Sequence, residues 1–317
     1  MTKVRACFPG CNNLVIDSTM SALVLKAHAK INLYLQVGDR LDSGYHHISS
    51  VMQSLALADV IILDEAPELV FECDDPALAG DDNLAMRAAR LLQARFAPGA
   101  GARLRLYKKV PVAAGLGGGS ADAAAVLLGL NQVWSLGLAP ADLLSLAPEL
   151  GADVAFCLVG GMALVTGFGE EVKPLPSIEM EPVLLIKPPG GLAAGLVYER
   201  FDALGTNVTQ GINDVLAAIS AGDRGRLIAN LANDLEPAAI SLLPSIAVTK
   251  ELAVGAGASA CVVSGSGPAL VAFADSQGRL KDVAEAVAGA ADTWLTRASV
   301  FGPEVVTDSA EIEALTT

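Results

Sequence analysis

Long apolar runs are missing from this chain. No stretch of about 18 uninterrupted apolar residues occurs, because the most apolar segments, such as 182–186, are short and bounded by Pro, Gly or charge, so no membrane span is expected. Basic residues are scarce as well: 21 Lys and Arg stand against 35 Asp and Glu, for a net charge of −14, and no dense Lys/Arg run offsets it locally. Such a surface repels a phosphate backbone and excludes nucleic-acid binding as a function class. An anionic ligand would then have to be held by local backbone dipoles and a few cations. Cys7, Cys11, Cys73, Cys157 and Cys261 are scattered without a CxxC pair or histidine spacing. That leaves neither a zinc site nor a disulfide framework and fits a reducing cytoplasm. Residues 1–19 carry Lys3 and Arg5 but no apolar core of useful length, so they read as a dispensable extension or a misplaced start rather than a secretory signal.

What is present suffices for a globular protein, with 52% hydrophobic and 18% charged residues. At 317 residues the chain exceeds the usual single-domain size. Two packed lobes, residues 20–178 and 179–317, with a cleft between them are expected. The boundary is placed near 174–182. Alternating or apolar runs at 23–27, 30–37, 51–57, 59–64 and 103–110 predict strands. Leu84, Ala88, Leu91 and Leu92 recur at helical spacing in 84–96. Further helices are expected at 121–134, 141–150, 212–221, 224–231, 246–255 and 280–290, and strands at 162–166, 183–187, 260–264 and 269–274. The class is α/β.

The chemistry concentrates in one segment, where a strand runs through Pro111 into a glycine loop and then a helix. In Gly115-Leu116-Gly117-Gly118-Gly119-Ser120-Ala121-Asp122 the side chains are removed where a ligand approaches the backbone, and glycine supplies the positive φ angles that turn successive N–H groups inward. The helix that follows adds roughly half a positive charge at its N-terminus, so a di- or triphosphate is the natural guest. Ser120 is left three roles: helix cap, phosphate ligand, or reach to a magnesium ion. No Gly-Lys-Ser/Thr closes the loop, and Ser120 stands where a dinucleotide fingerprint has its last glycine, so neither commoner phosphate motif applies.

The run Pro111-Val112-Ala113-Ala114-Gly115-Leu116-Gly117-Gly118-Gly119-Ser120-Ala121-Asp122-Ala123-Ala124 resembles the ATP-binding motif of the galactokinase, homoserine kinase, mevalonate kinase and phosphomevalonate kinase superfamily. Ala29-Lys30-Ile31-Asn32-Leu33, Gly44-Tyr45-His46, Gly151-Ala152-Asp153-Val154, Asn233-Asp234-Leu235-Glu236 and Ser264-Gly265-Ser266-Gly267 follow in the order of one branch of it. That branch phosphorylates the 2-hydroxyl of 4-diphosphocytidyl-2-C-methyl-D-erythritol in the non-mevalonate isoprenoid pathway. The glycine loop alone identifies the superfamily; the other segments select the branch. The resemblance implies a lobe like ribosomal protein S5 domain 2, a ferredoxin-like α+β lobe, and ATP with Mg²⁺.

Site residues follow from the same resemblance. It implies that Asp153 is the catalytic carboxylate and that Lys30 and Asn32 contact the reacting end of the substrate. An isolated Asp at a helix end or Lys on a strand is ordinarily a solvated surface group. If Lys30 faces Asp153, however, the cation keeps the carboxylate ionised and helps position the alcohol. Lys30 itself is expected at a strand edge or cleft. The resemblance further implies that Tyr45 stacks on cytosine, that His46 bonds its edge, and that Tyr198 supplies the second face. A threonine usual near Tyr198 is replaced by Ala194 or Gly195. Asn83 reads equally as an adenine-side group and as a helix cap. Gly265 and Ser266 are candidates from a loop that alone reads as a tight turn, and Asn233-Asp234-Leu235-Glu236 is a family marker of structural kind. Two functional alternatives stay open: another alcohol kinase of the superfamily, and a nucleotide-binding regulator without catalysis, against which Lys30 and Asp153 argue.

Overall fold

The computed structural model describes residues 22–41, 44–180, 182–205 and 211–316, so the expected leader lies outside the described residues. The chain opens with β1 (Leu23–Arg40), β2 (His46–Ala66) and β3 (Leu69–Cys73), followed by α1 (Leu84–Phe96), β4 (Gly101–Tyr107) and α2 (Gly118–Val133). Next come α3 (Pro140–Leu150), α4 (Val154–Val159), β5 (Met162–Thr166), β6 (Glu171–Pro174), β7 (Val183–Lys187) and α5 (Ala194–Leu204). Then follow α6 (Ile212–Ala221), α7 (Arg224–Ala229), β8 (Ala232–Asn233), α8 (Glu236–Leu242), α9 (Ser245–Gly255) and β9 (Ala260–Val263). The last elements are β10 (Leu270–Phe273), α10 (Gln277–Val287), β11 (Asp292–Thr296), β12 (Glu304–Val306) and α11 (Ser309–Thr316).

Two sheets organise these elements. The larger runs β12-β1-β2-β4-β3, with β5 joining β2 and β6, and β8 joining β1; the smaller runs β11-β7-β10-β9. Strands from both halves of the sequence therefore build the larger sheet. No single helix among the described residues is long and apolar enough to cross a membrane.

The runs expected at 23–27 and 30–37 are one strand of 18 residues, and those at 51–57 and 59–64 are one of 21. They remain paired because bulges absorb the register breaks between His28 and Lys30, Asn32 and Tyr34, and Val37 and Arg40. Along β1, Leu25 and Ala27 enter one core cluster, Ala29, Ile31 and Leu33 a second, and Leu35 and Val37 a third. Odd-numbered side chains from Leu25 to Val37 are buried in these clusters, while Lys30 and Asn32, two apart, share the other face. Of the edge or cleft expected for Lys30, the structure gives the second: on one side the residue pairs with Ser54 of β2, its N–H donates to the Leu116 carbonyl of the glycine loop at 2.9 Å, and the lysine is 4% exposed.

Helix α2 is apolar on nearly every side, with each residue from Ala121 to Leu130 buried, which is the pattern of a helix enclosed by its neighbours. It packs against α1, β1, β2 and α4. Its position is thereby fixed, and so is the point at which its N-terminus meets the cleft.

Candidate active site

The glycine loop begins where β4 ends. Ala113, Gly115 and Gly117 all have positive φ, at 51°, 78° and 69°. The successive carbonyls of Ala114, Gly115 and Leu116 turn back into the protein, accepting from Ala269 N, Ser264 Oγ and Lys30 N at 3.1, 3.1 and 2.9 Å. Gly115 lies so close to the loop after β9 that a Cβ there would sit 2.2 Å from the carbonyl oxygen of Ser264. Helix α2 starts at Gly118 rather than at the expected 121, with Gly117 as its left-handed N-cap and no side-chain cap. Ser120 is therefore inside the first turn and does not cap. The amides of that turn have no acceptor within the helix. They border a cavity of about 510 Å³, which Ser120, Asn83, Lys108, Asp122 and Ser266 also line. Asn83 caps α1, its Oδ1 accepting from Ala85 N at 2.9 Å.

Lys30 and Asp153 meet beside this loop. The ammonium lies 3.2 Å from Asp153 Oδ2 and donates to Asn32 Oδ1 at 2.8 Å, while Asn32 Nδ2 donates to Ser50 Oγ at 2.8 Å. The lysine side chain is 5% exposed and the aspartate 29%, so the carboxylate is the more accessible member of the pair. Gly117 covers the lysine stem: a Cβ there would come within 2.7 Å of Lys30 Cγ. A Cβ on Gly265 would lie 3.1 Å from Lys30 Nζ and 3.2 Å from Asn32 Oδ1. The Gly265 turn is held in its turn by Asn233 Nδ2, which donates to the carbonyls of Val263 and Gly265 at 2.7 and 2.8 Å. This is the structural part expected of that segment.

The groups expected around a cytosine base are His46, Tyr198 and Tyr45. His46 is buried at the start of β2, not in a polar turn, because its ring packs on Tyr198 of α5 with centroids 5.3 Å apart and near-parallel planes. Its Nε2 bonds Asp202 Oδ1 at 2.8 Å. Tyr45 is 59% exposed and pairs with Phe168 at 5.7 Å. Burial, and then the charge of Asp153, push the Tyr198 hydroxyl well above its ordinary range. Asp202 and Phe168 carry no motif and were not legible in the sequence.

A second group missed by sequence reading is Asp59, Lys108 and Asp122. Lys108 Nζ donates to Asp59 Oδ2 and, at 2.8 Å, to Asp122 Oδ2. Burial and the negative charge of Asp59 push the Asp122 carboxyl up to about 8, against the opposing pull of Lys108. Burial works to lower Lys108, and the two carboxylates outweigh it and raise it. Among the described residues no group of three His, Cys, Asp or Glu side chains can hold a metal ion. A site for Mg²⁺ has to be of the kind that borrows most of its oxygens from phosphates and water. Ser120, which lines the same cavity, has its Oγ 3.8 Å from where a Cβ on Gly151 would stand, in the turn that leads to Asp153.

Comparison with known proteins defines the class first. Residues 83–161 match the GHMP kinases N terminal domain and residues 215–292 the GHMP kinases C terminal domain. A homoserine kinase structure from Cytophaga hutchinsonii shares the fold, with TM-score 0.73 at 21% identity over 93% of this chain and 100% of that one. Among relatives, a 4-diphosphocytidyl-2-C-methyl-D-erythritol kinase from Moorella thermoacetica is 42% identical over 80% of this chain and 91% of its own length. One from Synechococcus sp. is 38% identical over 89% and 96%. A crystal structure of a 4-(cytidine 5'-diphospho)-2C-methyl-D-erythritol kinase superposes with TM-score 0.74 at 31% identity, covering 87% of this chain and 99% of that one. The chain belongs to the family of 4-diphosphocytidyl-2-C-methyl-D-erythritol kinases, and its phosphoryl donor class is ATP.

Proposed function

We propose that this kinase transfers the γ-phosphoryl group of ATP to the 2-hydroxyl of 4-diphosphocytidyl-2-C-methyl-D-erythritol, releasing ADP and the 2-phosphate. The observation that carries this reading is the facing of two parts. The free amides of the first turn of α2 border one side of the cleft, and the Lys30–Asp153 pair, at 3.2 Å, stands beside them. In-line transfer to an alcohol needs a held donor, a placed hydroxyl and neutralised charge, with little covalent chemistry for the protein to perform.

In this account the loop from Pro111 to Ala121 holds the nucleotide phosphates and Asn83 the adenine side. The Asp153 carboxylate takes the proton of the attacking hydroxyl, an effect typically worth about 10²- to 10⁴-fold. Lys30, pinned by Asn32, fixes that carboxylate and stabilises charge at the reacting oxygen. Mg²⁺ neutralises the phosphates when bound, and Ser120 would hold it. Tyr45, His46 and Tyr198 recognise the cytidine end, Gly265 and Ser266 close the cleft between the two substrates, and Asp202 fixes the His46 ring. A cytoplasmic location belongs to the same proposal and is supported by the free thiols of Cys73, Cys157 and Cys261.

The test is phosphoryl transfer by purified protein with ATP and Mg²⁺ across candidate alcohols. ADP release is expected with the cytidylyl substrate and not with homoserine or mevalonate. Turnover of either of those in its place would replace the substrate assignment, and no turnover with any alcohol would leave a nucleotide-binding protein without catalysis.

A further inference from the structure

Asp59 lies far from Lys30 and Asp153 in function, yet it is among the most completely enclosed groups in the molecule, with no exposed surface. Its two oxygens do different things. Oδ1 accepts from the backbone N–H groups of Lys109 and Val110, at 2.6 and 2.8 Å, in the turn that leads from β4 into the glycine loop. Oδ2 accepts from Lys108 Nζ, which also donates to Asp122 Oδ2, one turn into α2. Gly118, the first residue of α2, sits directly over this contact: a Cβ there would be 3.2 Å from Lys108 Nζ and 3.4 Å from Asp59 Oδ2. The entry and the exit of the loop are therefore joined through three ionisable side chains.

Packing alone does not account for the arrangement. Asp122 Oδ1 is buried with no hydrogen-bond partner, and a buried carboxylate oxygen left unpaired is a cost that apolar packing would avoid. Lys108 and Asp122 both line the cavity that the loop borders. We propose that Asp59 is a positioning residue for the nucleotide: through Lys108 and Asp122 it sets the distance between the two ends of the phosphate loop and so the alignment of the loop amides. The inference rests on the reading of the loop as the ATP site. Asp59 touches no substrate and acts through the two residues it holds.

Asp59→Asn keeps the size of the side chain and an acceptor for the backbone amides while removing the charge that grips Lys108. Its expected signature is a split: KM for ATP rises at least about tenfold, while KM for the alcohol stays within about twofold of wild type. A merely structural loss lowers the active fraction, and with it kcat, and moves neither KM. Unchanged KM for ATP, or equal rises in both constants, overturns the proposal. A measurement on the wild-type protein covers the case in which the variant does not fold. Hydrogen exchange at the amides of Lys109 and Val110 should slow at least about fivefold when ATP is added, together with the amides of the loop. Protection of the loop with no change at Lys109 and Val110 overturns the coupling. Absence of protection anywhere in the loop overturns the nucleotide reading itself.

Discussion

Replacing Gly117 by alanine perturbs the loop and the catalytic lysine in one step. At φ 69° the residue occupies the left-handed region, where a Cβ costs roughly 1–2 kcal/mol. The new methyl would also stand 2.7 Å from Lys30 Cγ and 3.1 Å from Lys30 Cε. Carbon atoms rest at about 3.5–4.0 Å, so the loop or the lysine stem has to yield by about 1 Å. The lysine cannot swing into solvent, being 4% exposed and bonded to both Asp153 and Asn32. A displacement of that size at a reacting centre costs on the order of 10²-fold in rate. The strain alone lowers the thermal midpoint by roughly 2–8 °C for lobes of this size. Steady-state kinetics at saturating ATP and alcohol, paired with a thermal melt, separate the two effects. Expected is a kcat reduced by about 10- to 100-fold in protein that is still folded at assay temperature. A melt lowered as described with kcat within about twofold of wild type refutes the claim that the position of Lys30 under Gly117 matters to the chemistry.

Other consequences are as direct. Gly115→Ala places a methyl 2.2 Å from the carbonyl oxygen of Ser264 and 2.8 Å from the amide of Gly267, both backbone; the loops separate, and a raised KM for ATP with a lowered melting temperature is the expected pair. Tyr45→Ala removes a ring that is 59% exposed, so stability holds, while KM for the cytidylyl substrate rises by the value of one stacking contact, about 1–3 kcal/mol, and KM for ATP does not. Glu304 is held below the usual carboxylate range, chiefly by its hydrogen bond to His28, with burial opposing. A carboxyl lowered by folding adds stability above its unfolded value and loses it as pH falls through the folded one. Glu304→Gln is therefore less stable than wild type at neutral pH, and the gap in thermal midpoint closes on acidification.

How far these features can be read from the residue string depends on their range. Helices α1 and α6 and strand β7 fall at the positions expected, because each is announced by its own periodicity and bounded by its own breakers. The glycine loop is legible for the same reason: its chemistry lies in consecutive residues. Helix α4 is not, since the run Val154 to Val159 is apolar at every position and carries no period to separate helix from strand. Nor is β12, three residues that pair with Val24, Leu25 and Lys26 from the far end of the chain. Lys30 reads as solvated by residue type and is buried because the glycine loop, through Gly117, lies over its stem. Asp59, Lys108 and Asp122 are brought together by β2, β4 and α2 from separations of 49 and 14 residues, and no motif marks them. The His46–Asp202 bond spans 156 residues. Charged pairs of this kind are products of tertiary structure, and only coordinates reveal them.

The central claim is that Asp153 accepts the proton of the alcohol while the loop across the cleft holds ATP. Asp153→Ala, with ATP affinity measured by calorimetry and turnover by ADP release on the same preparation, addresses both halves at once. The account predicts ATP binding within about threefold of wild type together with a loss of kcat of at least about 10²-fold. Turnover at the wild-type rate in a protein that lacks this carboxylate would contradict it.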